Sequence, residues 1–166
     1  LHSCALFNEK YPFGDMGGNL FKVTDGNPSV KNLHSVWDSV FSKVKDGLKL
    51  PLNSDGESIL DKYTSDIMSD YSRESLAGEL GDDFHFHDWL TESWKLCKEF
   101  VYVGITENSK VSEEYIEKGF EIARHRMALA GYRVADIIIH SYEQYLKAIR
   151  SGPGPHEARE TLGFLQ

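Results

Sequence analysis

Two side chains suited to a divalent cation stand four residues apart in the run Asn32-Leu33-His34-Ser35-Val36-Trp37-Asp38. If the run is helical, His34 and Asp38 share one face with their Cβ atoms about 5–6 Å apart, close enough to hold one ion together. Imidazole nitrogen and carboxylate oxygen are both good zinc ligands, and a catalytic zinc commonly takes three protein ligands and keeps a fourth position for water. His2 is the natural third ligand. The plainer alternative, a solvated His–Asp pair on a helix face, is not excluded by spacing alone. Zinc ligands must be deprotonated, so a site of this kind weakens on acidification.

The elements that must position these residues are mostly helical. Asn32 is a natural N-cap for a helix reaching about Asp46, with Gly47 as its stop signal and Pro51 beyond. Upstream, Tyr11 to Ser29 is crowded with Pro12, Gly14, Gly17, Gly18, Asn19, Gly26 and Pro28, while Leu20 to Thr24 alternates. Residues 19–30 are therefore expected to form a small hairpin or an extended loop. Ser54 and Ser58 introduce a second helix through Met68, and Arg73 to Leu80 a short third one. Asp88 is expected to cap a helix from Trp89 to Val103, ended by Gly104.

The last helix carries Ile116, Phe120, Ala123, Met127, Ala130, Val134 and Ile137, a stripe continuing toward Tyr145 that reads as core. Gly131 in its middle marks a close helix contact or a bend. The run Ser151-Gly152-Pro153-Gly154-Pro155 then breaks the pattern. The fold class expected is mainly α, with residues 1–150 as a single helical domain and 151–166 as a loosely held tail.

Composition narrows the function classes. With 40% hydrophobic and 27% charged residues, the chain has the profile of a globular protein, and no stretch approaches a membrane span. A formal charge of -8 argues against a groove that grips nucleic acid mainly by phosphate neutralisation. For an anionic substrate, a bound metal would have to supply the positive charge. Cys4 and Cys97 lack metal-type spacing and either pair with each other or remain two thiols. Nothing points to a protein partner.

Several segments, in order, resemble the zinc-dependent single-strand-specific nucleases and 3′-nucleotidases. Leu1-His2 is similar to the end of that family's Gly-Asp-x-His-Gln-Pro-Leu-His segment, Gly17-Gly18-Asn19 to its glycine turn, and Asn32 through Asp38 to its Asn-Leu-His-x-x-Trp-Asp motif. Trp89-Leu90-Thr91-Glu92-Ser93 resembles its Trp-x-x-Glu-Ser helix start, and residues 128–135 its final helix. The likeness covers residues 1–146.

The resemblance implies a helical fold of the phospholipase C and nuclease type, with a short hairpin or loop insertion. It also implies three zinc ions in a cleft. His2, His34 and Asp38 would hold the one facing the leaving 3′-oxygen, and hydrolysis would give 5′-phosphate products. The ligands of the other two ions would lie upstream, so the chain is expected to be the C-terminal portion of a member and to bind at most one zinc. By the same resemblance, Gly18 and Asn19 belong to a base pocket, and the substrates are single-stranded DNA or RNA and nucleotides.

Cys97 falls near a family half-cystine but one residue out of register; a Cys4–Cys97 disulfide would fit a secreted or lumenal protein. Trp37 is expected to pack behind the metal, and His85, His87, His125, His140 and His156 to be surface or cap residues. Two other readings compete. A zinc phospholipase C of the related fold would share the ligand types but has no use for a base pocket. A non-catalytic helical fragment would retain the metal site only as a relic.

Overall fold

The structure is a computed structural model that describes residues 4–43, 50–81 and 84–151. Its first helix, α1 (Leu33–Asp38), starts where the sequence places it. Asn32 is extended (φ -152°, ψ 166°), and its side chain accepts from the Ser35 amide at 2.7 Å, while Ser35 Oγ accepts from the Asn32 amide at 3.1 Å. This reciprocal box satisfies donors that a helix start leaves without intrahelical partners. The amides of Leu33 and His34 go to the carbonyls of Phe21 (2.9 Å) and Gly18 (3.3 Å). The opening turn of α1 is thus fully stitched to the preceding loop.

α1 is shorter than expected. It ends at Asp38, and Val40, Phe41 and Ser42 form a tight turn with φ of 49°, 57° and 54°. Left-handed backbone at a β-branched residue is costly, roughly 1–2 kcal/mol, and the compensation is visible in the packing. The turn buries Phe41 to 3% exposure, with its ring 4.8 Å from that of Trp37 and 6.2 Å from that of Tyr115. Local stop signals cannot register that distant demand. Gly47 lies outside the described residues.

The segment expected as a hairpin or loop is a loop with a non-local anchor. Its strand β1 (Val23–Thr24) pairs in parallel with β2 (Ser109–Lys110), in the register Val23 to Ser109 and Thr24 to Lys110. Around this ladder sits the core, in which Leu33 and Val36 of α1 are wholly buried beside Phe21, Val30, Val101 and Ile116.

The helices α2 (Ser54–Asp70) and α3 (Ala77–Leu80) fall near their expected positions, with Asn53 capping the first through the Gly56 amide at 2.9 Å. Helix α4 (Phe86–Leu96) begins earlier than expected, because its first turn closes on the His85 carbonyl. Asp88 is therefore a first-turn acid that complements the helix dipole, not the cap. A wide π-helical turn, Cys97–Val101, follows directly.

Helix α5 (Glu113–Ser151) is one continuous element. A Cβ on Gly131 would meet nothing within 4 Å, so this glycine marks neither a close contact nor a break. The apolar stripe is buried at Ile116 but exposed at Met127 and Val134. Its period reports an amphipathic helix and is silent on what covers it. The chain divides into two compact units, Leu1–Leu129 and Ala130–Gln166. The core just described belongs to the first. The described part of the second is helical, with Val134, Ile138, Tyr142, Tyr145 and Ile149 exposed at helical spacing.

Candidate metal centre

The loop before α1 decides how His34 is presented. Gly17 and Gly18 have φ of 64° and 86°, a backbone that only glycine adopts at little cost. That turn brings the Gly17 carbonyl to 2.9 Å from His34 Nδ1 and the Gly18 carbonyl to the His34 amide. A Cβ on Gly18 would fall 3.0 Å from the His34 amide nitrogen. The glycine pair therefore acts on the histidine directly, a function that its sequence reading as part of a base pocket did not include.

With Nδ1–H donating to Gly17, the neutral ring presents an Nε2 lone pair. Nε2 lies 3.2 Å from Asp38 Oδ2, across one turn of α1. Two acceptors at that distance repel unless a proton or a cation stands between them. A backbone carbonyl that fixes the ring's other nitrogen is the usual support for a metal-binding histidine. The His34 side chain is 14% exposed and that of Asp38 61%, so the pair opens to solvent on the Asp38 side. The donor set and its orientation fit zinc.

His2 lies outside the described residues, and among those described no group of three or more His, Cys, Asp or Glu side chains is placed to hold a metal. Asn19 is half-buried next to Gly18, and its side-chain amide donates to the Met16 carbonyl at 2.9 Å. One of its two N–H donors is thus committed to the turn itself.

Trp37 packs behind the pair, as expected. Its indole N–H donates to the Tyr115 hydroxyl at 3.1 Å, which donates onward to the Val101 carbonyl at 2.7 Å. Burial pushes the Tyr115 hydroxyl far above its ordinary pKa, so it remains protonated and keeps both bonds. His85 and His87 are exposed, and His85 precedes the first turn of α4. His125 pairs with Glu79 at 2.9 Å.

The Trp-x-x-Glu-Ser stretch also resolves into contacts. Glu92 Oε2 and Ser93 Oγ accept from the two terminal nitrogens of Arg126 at 2.6 and 3.3 Å, which fastens α4 to α5 within the first unit. Sequence reading did not single out Arg126, because nothing local marks its partners. A buried carboxylate was missed for the same reason. Asp15 is 0% exposed and accepts from the Leu6 amide at 3.0 Å and from the Tyr102 hydroxyl at 3.0 Å.

Cys4 and Cys97 form a disulfide. Cys97 opens the π-helical turn, whose i to i+5 hydrogen bonding holds one residue more than an α-turn. That extra residue accounts for a half-cystine one position out of register. Closing a loop of 93 residues removes on the order of 4–5 kcal/mol of unfolded-chain entropy. It also fixes the chain two residues from His2.

Comparison with known families gives one match: the model of a family described as S1/P1 Nuclease aligns with residues 1–143. No curated protein and no solved structure matches the chain.

Proposed function

The chain belongs to the S1/P1 nuclease family, and from that premise we propose that it acts in zinc-dependent hydrolysis of single-stranded nucleic acid, and of 3′-nucleotides, to 5′-phosphate products. The single observation that carries this reading is the His34 Nε2–Asp38 Oδ2 approach of 3.2 Å with Nδ1 held by Gly17. His34 and Asp38 would hold the ion, with His2 as third ligand. Zinc, when bound, offsets the charge that develops on a departing alkoxide.

The chain's own residues supply orientation. Gly17 fixes the imidazole, and the capped start of α1 fixes the backbone that carries it. Trp37 closes the rear of the pair against water. Asn19 Oδ1 has no hydrogen-bond partner among the described residues and offers an acceptor to a nucleobase edge. A base enters such a pocket only after unstacking, which favours single strands. The disulfide and the family are compatible with a secreted protein. No described helix is long and apolar enough to cross a membrane.

The test compares wild type with Asp38→Ala for zinc content and for cleavage of single-stranded against duplex DNA. Zinc-stimulated, strand-selective cleavage that Asp38→Ala abolishes, along with bound zinc, is the expected result. Equal zinc content in both proteins, or hydrolysis of phosphatidylcholine without hydrolysis of nucleic acid, overturns the reading.

A further inference from the structure

The average charge of the chain hides a local exception. A pocket of about 350 Å³ opens beside the β1–β2 ladder, with Lys22 and Lys31 on its rim, Asn108 on its wall and the buried Val23 and Val30 lining its apolar side. No carboxylate lines it. Neither lysine makes an ion pair among the described residues, in contrast to Lys10, Lys43 and Lys110, which pair with Glu107, Glu117 and Glu113. In a chain of net charge -8, two cations left without counter-charge at one pocket need an explanation.

The other polar groups of the pocket are engaged. Asn27 donates to Ser42 Oγ and accepts from the Ser29 amide, Thr24 Oγ1 accepts from the Gly26 amide, and Ser109 Oγ donates to the Thr106 carbonyl. The side chains left to meet a ligand are donors: two ammonium groups and the Asn108 amide. That set selects an anion with several acceptor oxygens, and the Val23 and Val30 wall offers an apolar surface beside it.

Position identifies the anion. Lys31 precedes His34 by three residues, so their Cα atoms are at most about 11 Å apart even with the chain fully extended. The Lys31 amide is tied to Ser35 Oγ at 3.1 Å, which joins the rim of the pocket to the start of α1. We propose that this pocket is a phosphate subsite that takes a backbone phosphate of the bound strand away from the scissile one. The identification of the strand rests on the nuclease reading; the pocket's preference for a phosphate group does not.

The experiment therefore excludes zinc. Binding of a fluorescein-labelled oligothymidylate is followed by anisotropy in EDTA for wild type, for Lys22→Ala/Lys31→Ala, and for Lys62→Ala/Lys118→Ala, which removes two exposed lysines elsewhere. The pocket variant is expected to bind at least tenfold more weakly, and its slope of log affinity against log salt to shrink by about 1.4, or about 0.7 per lost phosphate contact. The control variant should match wild type, and circular dichroism should be the same for all three.

Equal weakening in both variants, or in neither, overturns the proposal. Competition by inorganic phosphate supports recognition of the phosphate alone, and competition only by a 5′-mononucleotide supports use of the apolar wall as well. If neither competes, the proposal fails. A chain that binds DNA through Lys22 and Lys31 but never cleaves it with zinc refutes the proposed hydrolysis and leaves the subsite standing.

Discussion

His34 Nδ1 lies 2.9 Å from the Gly17 carbonyl oxygen, a contact that orients the candidate zinc ligand from the main chain of a glycine turn. Gly18, next in that turn, has φ +86° and no room for a Cβ beside the His34 amide. Gly18→Ala is therefore expected to displace the turn and tilt the imidazole, with a loss of about 1–3 kcal/mol in stability and of roughly 10–100-fold in zinc affinity. Calorimetric zinc titration and thermal melting check both quantities. An unchanged zinc affinity would show that the turn does not orient the ligand.

Gly119 of α5 lies under the ring of Phe41, and a Cβ there would fall 2.3 Å from Phe41 Cζ. Gly119→Ala is expected to cost about 1–3 kcal/mol through overpacking, despite alanine's better helix propensity. Adding Phe41→Leu should return part of the loss, since the two changes share one contact. Urea unfolding of the single and double variants measures this, and simple additivity would refute the contact.

Glu107 accepts from Lys10 Nζ at 2.5 Å and from the Tyr11 hydroxyl at 2.6 Å. These bonds, the one from Lys10 first, hold its carboxyl below the ordinary value of 4.5. As pH falls, the unfolded chain takes up this proton before the folded chain does. The stabilisation is thus complete above 4.5 and is lost as pH drops through the lower folded value. Glu107→Gln should reduce the fall in Tm between neutral pH and about pH 3. A variant as acid-sensitive as wild type would contradict this.

The fork from Arg126 to Glu92 and Ser93 links α4 to α5 with side chains 23% and 32% exposed at the ion pair. Glu92→Gln keeps the shape and removes the charge, so a loss of about 1 kcal/mol is expected. Arg126→Lys should cost at least as much, because one ammonium cannot span both acceptors. Salt should narrow the gap between wild type and Glu92→Gln, and melting curves at two ionic strengths would show whether it does.

What was legible in the sequence was local. The Asn32 cap, the i to i+4 placement of His34 and Asp38, and the starts of α1 and α2 each depend on residues within one helical turn of each other. The features that were not legible depend on distant partners. Val23 finds Ser109, Phe41 finds Gly119, and Glu92 finds Arg126 only after the chain has folded back. Asp88 was misread because a first-turn acid and a capping acid share one composition signal. The lysine pocket was invisible for another reason: net charge averages over the chain, whereas Lys22 and Lys31 act at one place.

The Cys4–Cys97 bond spans 93 residues that include both glycines of the turn, the metal pair and two helices. A protease that cuts once within that span would leave two pieces still joined through sulfur. The nicked molecule would run as a single species on a gel until reductant is added, and the ends made by the cut would stay tethered to the same core. In this protein, the integrity of the fold and the continuity of the backbone are separable properties.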